Sequence, residues 1–191
     1  MATSPDPIAT SPATLRQLAR DNQEMGSRLA HLEFQAMIRE LRNPNLFDLR
    51  LDFPNDPGPW LDSPMLTEDP SSQRMPQLNV TLGKIAWVYD PASLPVIAIF
   101  VPDTDSLKLR ETLEALLTAH HTHPFARFVF LCESLRPVPF LGRFELTYEH
   151  LGKLVPVDVA RRLRLRFGVQ QIRNLVSGQL LWRVPRTVAT D

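Results

Sequence analysis

Between residues 12 and 42 the apolar positions fall at alternating intervals of three and four. Leu15, Leu18, Met25, Leu29, Leu32 and Ala36 make the series, with Asn22 at the a-type position between Leu18 and Met25. The spacing predicts a long amphipathic helix carrying roughly three heptads. Ser11 is a good N-cap, Pro12 suits the first helical position and Asn43-Pro44 is a stop signal. A second stripe, Phe34, Ile38 and Leu41, rotates away toward a globular core. Two roles fit: a helix lying on its own domain, or one that pairs with a partner or with its own copy. Gly26 weakens the seam by roughly 1 kcal/mol relative to alanine.

Further along, Leu94-Pro-Val-Ile-Ala-Ile-Phe-Val is a near-continuous apolar run, followed by an amphipathic segment over 106–119 and then Ala126-Arg-Phe-Val-Phe-Leu-Cys. Strands buried on both faces read as unbroken apolar runs, and a crossover helix joins parallel neighbours. The fold class is therefore α/β (or α+β), a two-layer or three-layer mixed sheet. Its expected parts are a hairpin over 84–101, a crossover helix over 106–120 and a parallel strand over 126–132. Leu109, Leu113, Leu116 and Leu117 stripe the helix, Asp105 or Ser106 caps it and Pro124 ends it.

The surrounding segments are read from turn and breaker residues. Residues 1–11 form a Pro/Ser/Thr/Ala tail expected to be disordered, and 12–43 the N-terminal helix. Residues 44–77 are an irregular Pro-rich stretch, opening on a half-buried strand over 45–53 and anchored by Trp60, Leu61, Met65 and Leu66. The α/β core spans 78–150, with 140–148 read as a strand or an aromatic loop. The basic C-terminal segment, 151–191, opens with a helix capped by Asp158, with Val159, Ala160, Leu163 and Phe167 on one face and Gly168 at its end. A second short helix over 169–177 and a final strand over 179–184 complete the reading.

Composition narrows the partners. The 191 residues are 43% hydrophobic, enough for one domain with a sizeable core, and 21 Lys+Arg balance 21 Asp+Glu. A neutral chain has no global pull toward nucleic acid or an anionic membrane. The single cysteine, Cys132, forms no internal disulfide, no secretory signal is visible at the N-terminus, and no apolar run approaches a membrane span. These features predict a cytoplasmic protein in a reducing compartment. Only 7 glycines are present, none grouped into a phosphate-binding loop. There is no G-x-S-x-G elbow, H-E-x-x-H or paired-cysteine zinc spacing, so no cofactor is implied.

Three polar groupings remain. Asp103 and Glu133 each follow a core strand. If those strands are parallel neighbours, both carboxylates reach one sheet edge, where they could hold a divalent metal or share acid and base roles, or simply brace a helix start and a turn. His120, His121 and His123 cluster at a helix end, either as metal ligands or as residues favoured there by the helix dipole. Cys132 is expected to be a buried free thiol.

The C-terminal arginines, Arg161, Arg162, Arg164, Arg166, Arg173, Arg183 and Arg186, occur with no acid between Asp158 and Asp191. Two short helices followed by Gly178-Gln-Leu-Leu-Trp-Arg-Val resemble excisionase-like DNA binders, in which a second helix closes with Gly-x-Leu before a basic strand. The helix between Gly168 and Gly178 is short for a recognition helix. The order helix, strand, hairpin, helix, strand also resembles the restriction-endonuclease-like core. That family places an acid before, and E-x-K within, the hairpin strands. Val96-Ile-Ala-Ile-Phe-Val carries neither acid nor lysine, so the resemblance implies binding rather than cleavage.

The leading expectation is a non-enzymatic interaction or accessory protein. Its contacts to a protein partner or a second copy would come from Leu18, Met25, Leu29, Leu32 and Trp60. Arg161, Arg162, Arg164, Arg166 and Arg173 would meet an acidic protein surface or nucleic acid. The alternatives are a metal-dependent hydrolase or nuclease using Asp103 and Glu133, and a DNA-binding protein using 161–186.

Overall fold

The computed structural model describes residues 11–48 and 91–185. The expectations for the tail over 1–10, for Trp60 and the Pro-rich loop, for the strand over 84–90 and for Arg186 lie outside them.

Among the described residues the α-helices and strands are, in chain order, α1 (Pro12–Leu41), β1 (Val96–Val101), α2 (Ser106–Thr122), β2 (Arg127–Cys132), α3 (Val138–Arg143), β3 (Tyr148–His150), α4 (Ala160–Phe167), β4 (Val169–Asn174) and β5 (Leu180–Arg183), with a 3-10 turn (Pro91–Ser93) before β1. The strands form one sheet in the order β3-β2-β1-β4-β5. β3, β2, β1 and β4 run parallel, and β5 returns antiparallel to β4. Val96–Val101 pairs in register with Arg127–Cys132, as the two apolar runs predicted.

Alternation along these strands splits the core into two layers. Ile97, Ile99 and Val101 of β1 join Phe130 and Cys132 of β2 on one face, under α2, α3 and the end of α1. Val96, Ala98, Val129, Leu131, Val169 and Ile172 occupy the other face, under Ala160, Leu163 and Phe167 of α4. The chain steps outward from β1 to β3 with helices on the first face, then returns past β1 to β4 with α4 on the second. Right-handed crossovers require that change of face when the direction of travel reverses. The fold is a three-layer α/β/α sandwich.

Both edges of β1 are occupied, by β2 and β4. The place beside β1 expected for a hairpin partner is thus held by β4. The second C-terminal helix expected over 169–177 is instead β4 and a turn, so the C-terminal helical pair and the helix–turn–helix order are corrected. Val169 and Ile172 are three residues apart, a helical interval. The pairing of β4 with β1 slips between Val96 and Ile97, so β4 carries an extra residue there and both apolar side chains reach the same face. The expected strand over 45–53 begins as a turn, with Phe47 buried in the first-face core. Residues 140–148 hold the end of α3 and a connection to β3. Pro139 sits in the first turn of α3, where its missing N–H costs no helical bond. Val159, not Asp158, occupies the N-cap of α4, and Gly168 ends that helix in the left-handed region at φ 72°.

Candidate functional site

Ser11 accepts a hydrogen bond from the Ala13 N–H at 3.3 Å, Pro12 opens α1, and the helix ends just before Asn43-Pro44. Its last turns are rooted in the body. Met37 and Leu41 are fully buried, and Phe34 and Ile38 pack partly beside them. Glu40 pairs with Arg143 at 3.0 Å and Arg42 with Glu114 at 2.7 Å. Arg110 donates to the carbonyls of Asn43 and Pro44, fixing the exit of the helix.

The remainder of α1 leaves the body. From Ser11 through Leu29 every residue is exposed. Leu15, Leu18, Met25, Leu29 and Leu32 are between 50 and 61% exposed, large apolar side chains along one line. At 3.6 residues per turn this line falls on roughly the opposite side of the helix from Phe34, Met37, Ile38 and Leu41. Among the described residues the body covers the last turns of α1 and not the stripe. The part that projects from the described body, residues 12–29, is about 27 Å long at 1.5 Å per residue, and at His31 the helix already meets His121 of α2, ring centroids 6.1 Å apart.

The acidic pair is brought together as the parallel strands require, and its carboxylates are engaged. Glu133 Oε2 accepts from the Asp103 backbone N–H at 2.8 Å, and Asp103 Oδ1 lies 3.6 Å from Arg136 Nη1. Asp105 caps α2, accepting from the N–H groups of Leu107 and Lys108 at 3.0 and 3.1 Å. The sheet's topological switch lies on the other side of β1, between β1 and β4. There the Leu175 N–H donates to the Phe100 carbonyl at 2.8 Å, and Asn174 Oδ1 accepts from the N–H groups of Val176 and Ser177. Glu133→Ala is expected to cost about 1 kcal/mol through the lost tie between the ends of β1 and β2. Chemical denaturation checks this, and a stability unchanged within 0.3 kcal/mol would assign the bond no structural weight.

The three histidines diverge. His120 is buried, edge-on to Phe125 at 5.5 Å and Phe128 at 4.8 Å. Burial, and secondarily the neighbouring His121, push its pKa down to about 4. His121 stacks flat on Phe34 at 3.9 Å, and burial lowers its pKa as well. His123 ends α2, its N–H donating to the Ala119 carbonyl at 3.0 Å. Among the described residues no three His, Cys, Asp or Glu side chains converge as a metal site. Cys132 is fully buried, and burial pushes its thiol up to about 12, which suppresses the nucleophilic thiolate.

The basic segment is partly consumed internally. Arg162 and Arg166 both pair with Glu149, whose side chain is largely buried. Arg173 donates to the Gly178 carbonyl and to Gln171 Oε1. Arg161 and Arg164 are exposed on α4 without an acid partner among the described residues. A cleft of about 650 Å³ opens between Arg164, Gly168, Gln170 and Arg183 at the amino end of β4, the opposite sheet edge from Asp103.

Among the described residues no helix is long and apolar enough to cross a membrane. No protein-family model, curated protein or solved structure matches this chain.

Proposed function

We propose that this is an interaction protein of a reducing, cytoplasmic compartment, with an α/β body that carries α1 as its docking arm. One observation carries the reading: a helix that, among the described residues, is anchored at its carboxyl end, with five large apolar side chains in line on the side facing away from the described body. Contiguous exposed apolar surface of this kind marks interaction sites. Covering each such side chain is worth roughly 1.5–3 kcal/mol. The engagement of Asp103 and Glu133 with backbone and arginine supports a structural use for that pair. Arg161 and Arg164 would add an electrostatic contact to an acidic protein surface.

The test replaces Leu18 and Leu29 by glutamate together in the full chain. Bound partners and hydrodynamic mass are then compared with those of the unaltered chain. The pair of substitutions is expected to abolish the assembly and to change body stability by less than about 0.5 kcal/mol, because both positions are exposed. Identical mass and identical co-purifying proteins would remove the arm from the function.

A further inference from the structure

The apolar line on α1 has the width and period of a coiled-coil seam. Taking Leu15 as a, the a positions are Leu15, Asn22, Leu29 and Ala36, and the d positions before the last are Leu18, Met25 and Leu32. The interval is a strict seven, which holds the stripe against one partner helix as the pair supercoils. A helix packed on a globular surface adds e or g positions to its apolar face. Here e is Ala19, Gly26 and Glu33, and g is Asp21, Arg28 and Gln35, so the seam is narrow.

We infer that the occupant of this seam is α1 of a second copy of the same chain, in a parallel, in-register, two-stranded coiled coil. The inference rests on the reading of α1 as a docking arm. Three features select a second copy in this orientation. Asn22 meets Asn22 of the second copy only in parallel register, where one amide donates and the other accepts. In the antiparallel arrangement that matches the seam, it faces Met25, which leaves the buried amide without an equal partner. Arg28 at g lies opposite Glu33 at the following e of the second copy, a complementary pair on both sides of the dimer. The body hangs on roughly the opposite side of the helix from the seam, through Met37 and Leu41. The described bodies, at the same end of a parallel pair, therefore project from its outer flanks.

Sedimentation equilibrium of the full chain is expected to give twice the single-chain mass at tens of micromolar. Leu18→Glu/Leu29→Glu is expected to return it to one chain, with the body's circular dichroism unchanged. Orientation is read by Leu32→Cys. In parallel register this residue faces its own copy and oxidation joins the two chains. In the antiparallel arrangement position 32 lies opposite 15, about 25 Å from its copy. Cys132 is fully buried and gives no background. Asn22→Leu is expected to tighten association while spreading the mass toward three or four chains.

A single-chain mass up to several hundred micromolar overturns the inference. It leaves the docking arm standing if Leu18→Glu/Leu29→Glu still releases a bound partner, and a single-chain mass with the stripe protected from hydrogen exchange assigns the seam to another segment of the same chain. A double mass indifferent to Leu18→Glu/Leu29→Glu overturns it, as does a trimer, or failure of Leu32→Cys to cross-link.

Discussion

Deleting residues 1–44 is expected to collapse the fold, whereas deleting residues 1–32 leaves it standing. Among the described residues that the shorter cut removes, 11–32, all are exposed except the half-buried Ala30, and only His31 brings a ring near the body, 6.1 Å from His121. The longer cut takes Met37 and Leu41 out of the layer that also holds Leu109, Leu113, Leu117 and Phe140. Each such side chain is worth about 2–5 kcal/mol when its space is left empty. The pair together is worth about 4–10 kcal/mol, comparable to the whole stability of a domain, about 5–15 kcal/mol. The longer cut also strips Glu40 from Arg143 and Arg42 from Glu114, exposed ion pairs of small individual weight. Urea melts followed by circular dichroism, run at two protein concentrations, separate body stability from assembly through the arm. A chain lacking residues 1–44 that melts within 1 kcal/mol of the intact protein would show that the root of α1 is no part of the core. Lost partner binding after the longer deletion would therefore say nothing about the stripe. The shorter deletion and the glutamate substitutions are the informative variants.

How much of this was legible in the residues depends on whether the interaction is local. β1, α2 and β2 were readable because unbroken apolar runs and a leucine stripe each report on their own few residues. Their parallel register followed from the length of the crossover. The two stripes of α1 are also readable, with Phe34, Ile38 and Leu41 turned toward a core; the partners they meet there, Leu109, Leu113 and Phe140, lie far along the chain and are not. β4 does not read as a strand, for a definite reason. The extra residue at its pairing with β1 turns a strand's interval of two into an apparent helical interval of three, and only the partner strand reveals it. α3 was hidden by Pro137 and Pro139, which break a helix interior and are tolerated at its start.

The site shows the same division. That Asp103 and Glu133 would be close followed from parallel neighbours. That Glu133 spends its carboxylate on a backbone N–H did not, since the residue type alone does not distinguish the two uses. Proximity in sequence groups His120, His121 and His123. Yet adjacent positions on a helix point about 100° apart, so His120 enters the core while His121 turns to Phe34.

Acidification is expected to destabilise the protein through His120. Its ring lies buried edge-on against Phe125 and Phe128, and that burial, with the neighbouring His121 adding to it, lowers its pKa from near 6.5 to about 4. The unfolded chain therefore binds one more proton than the folded chain across that interval. Stability from this group is fully present above about pH 6.5, falls as the pH drops toward 4, and levels off below. At 1.36 kcal/mol per unit, the full excursion is about 3 kcal/mol. Carboxylates titrate in part of the same window, so the measurement is a difference. Unfolding free energies of the wild type and of His120→Phe are taken at matched pH between 4 and 7. The variant keeps an aromatic ring against the two phenylalanines and has no proton to bind, so the gap between the curves should change by about 3 kcal/mol in the variant's favour toward low pH. Parallel curves would mean that the ring reaches water and is protonated in the folded state. Because burial, and secondarily the nearby His31, lower the pKa of His121, whose ring stacks on Phe34, acid is expected to loosen the junction where α1 leaves the body. The root of the arm should then show increased hydrogen exchange before the strands of the sheet do.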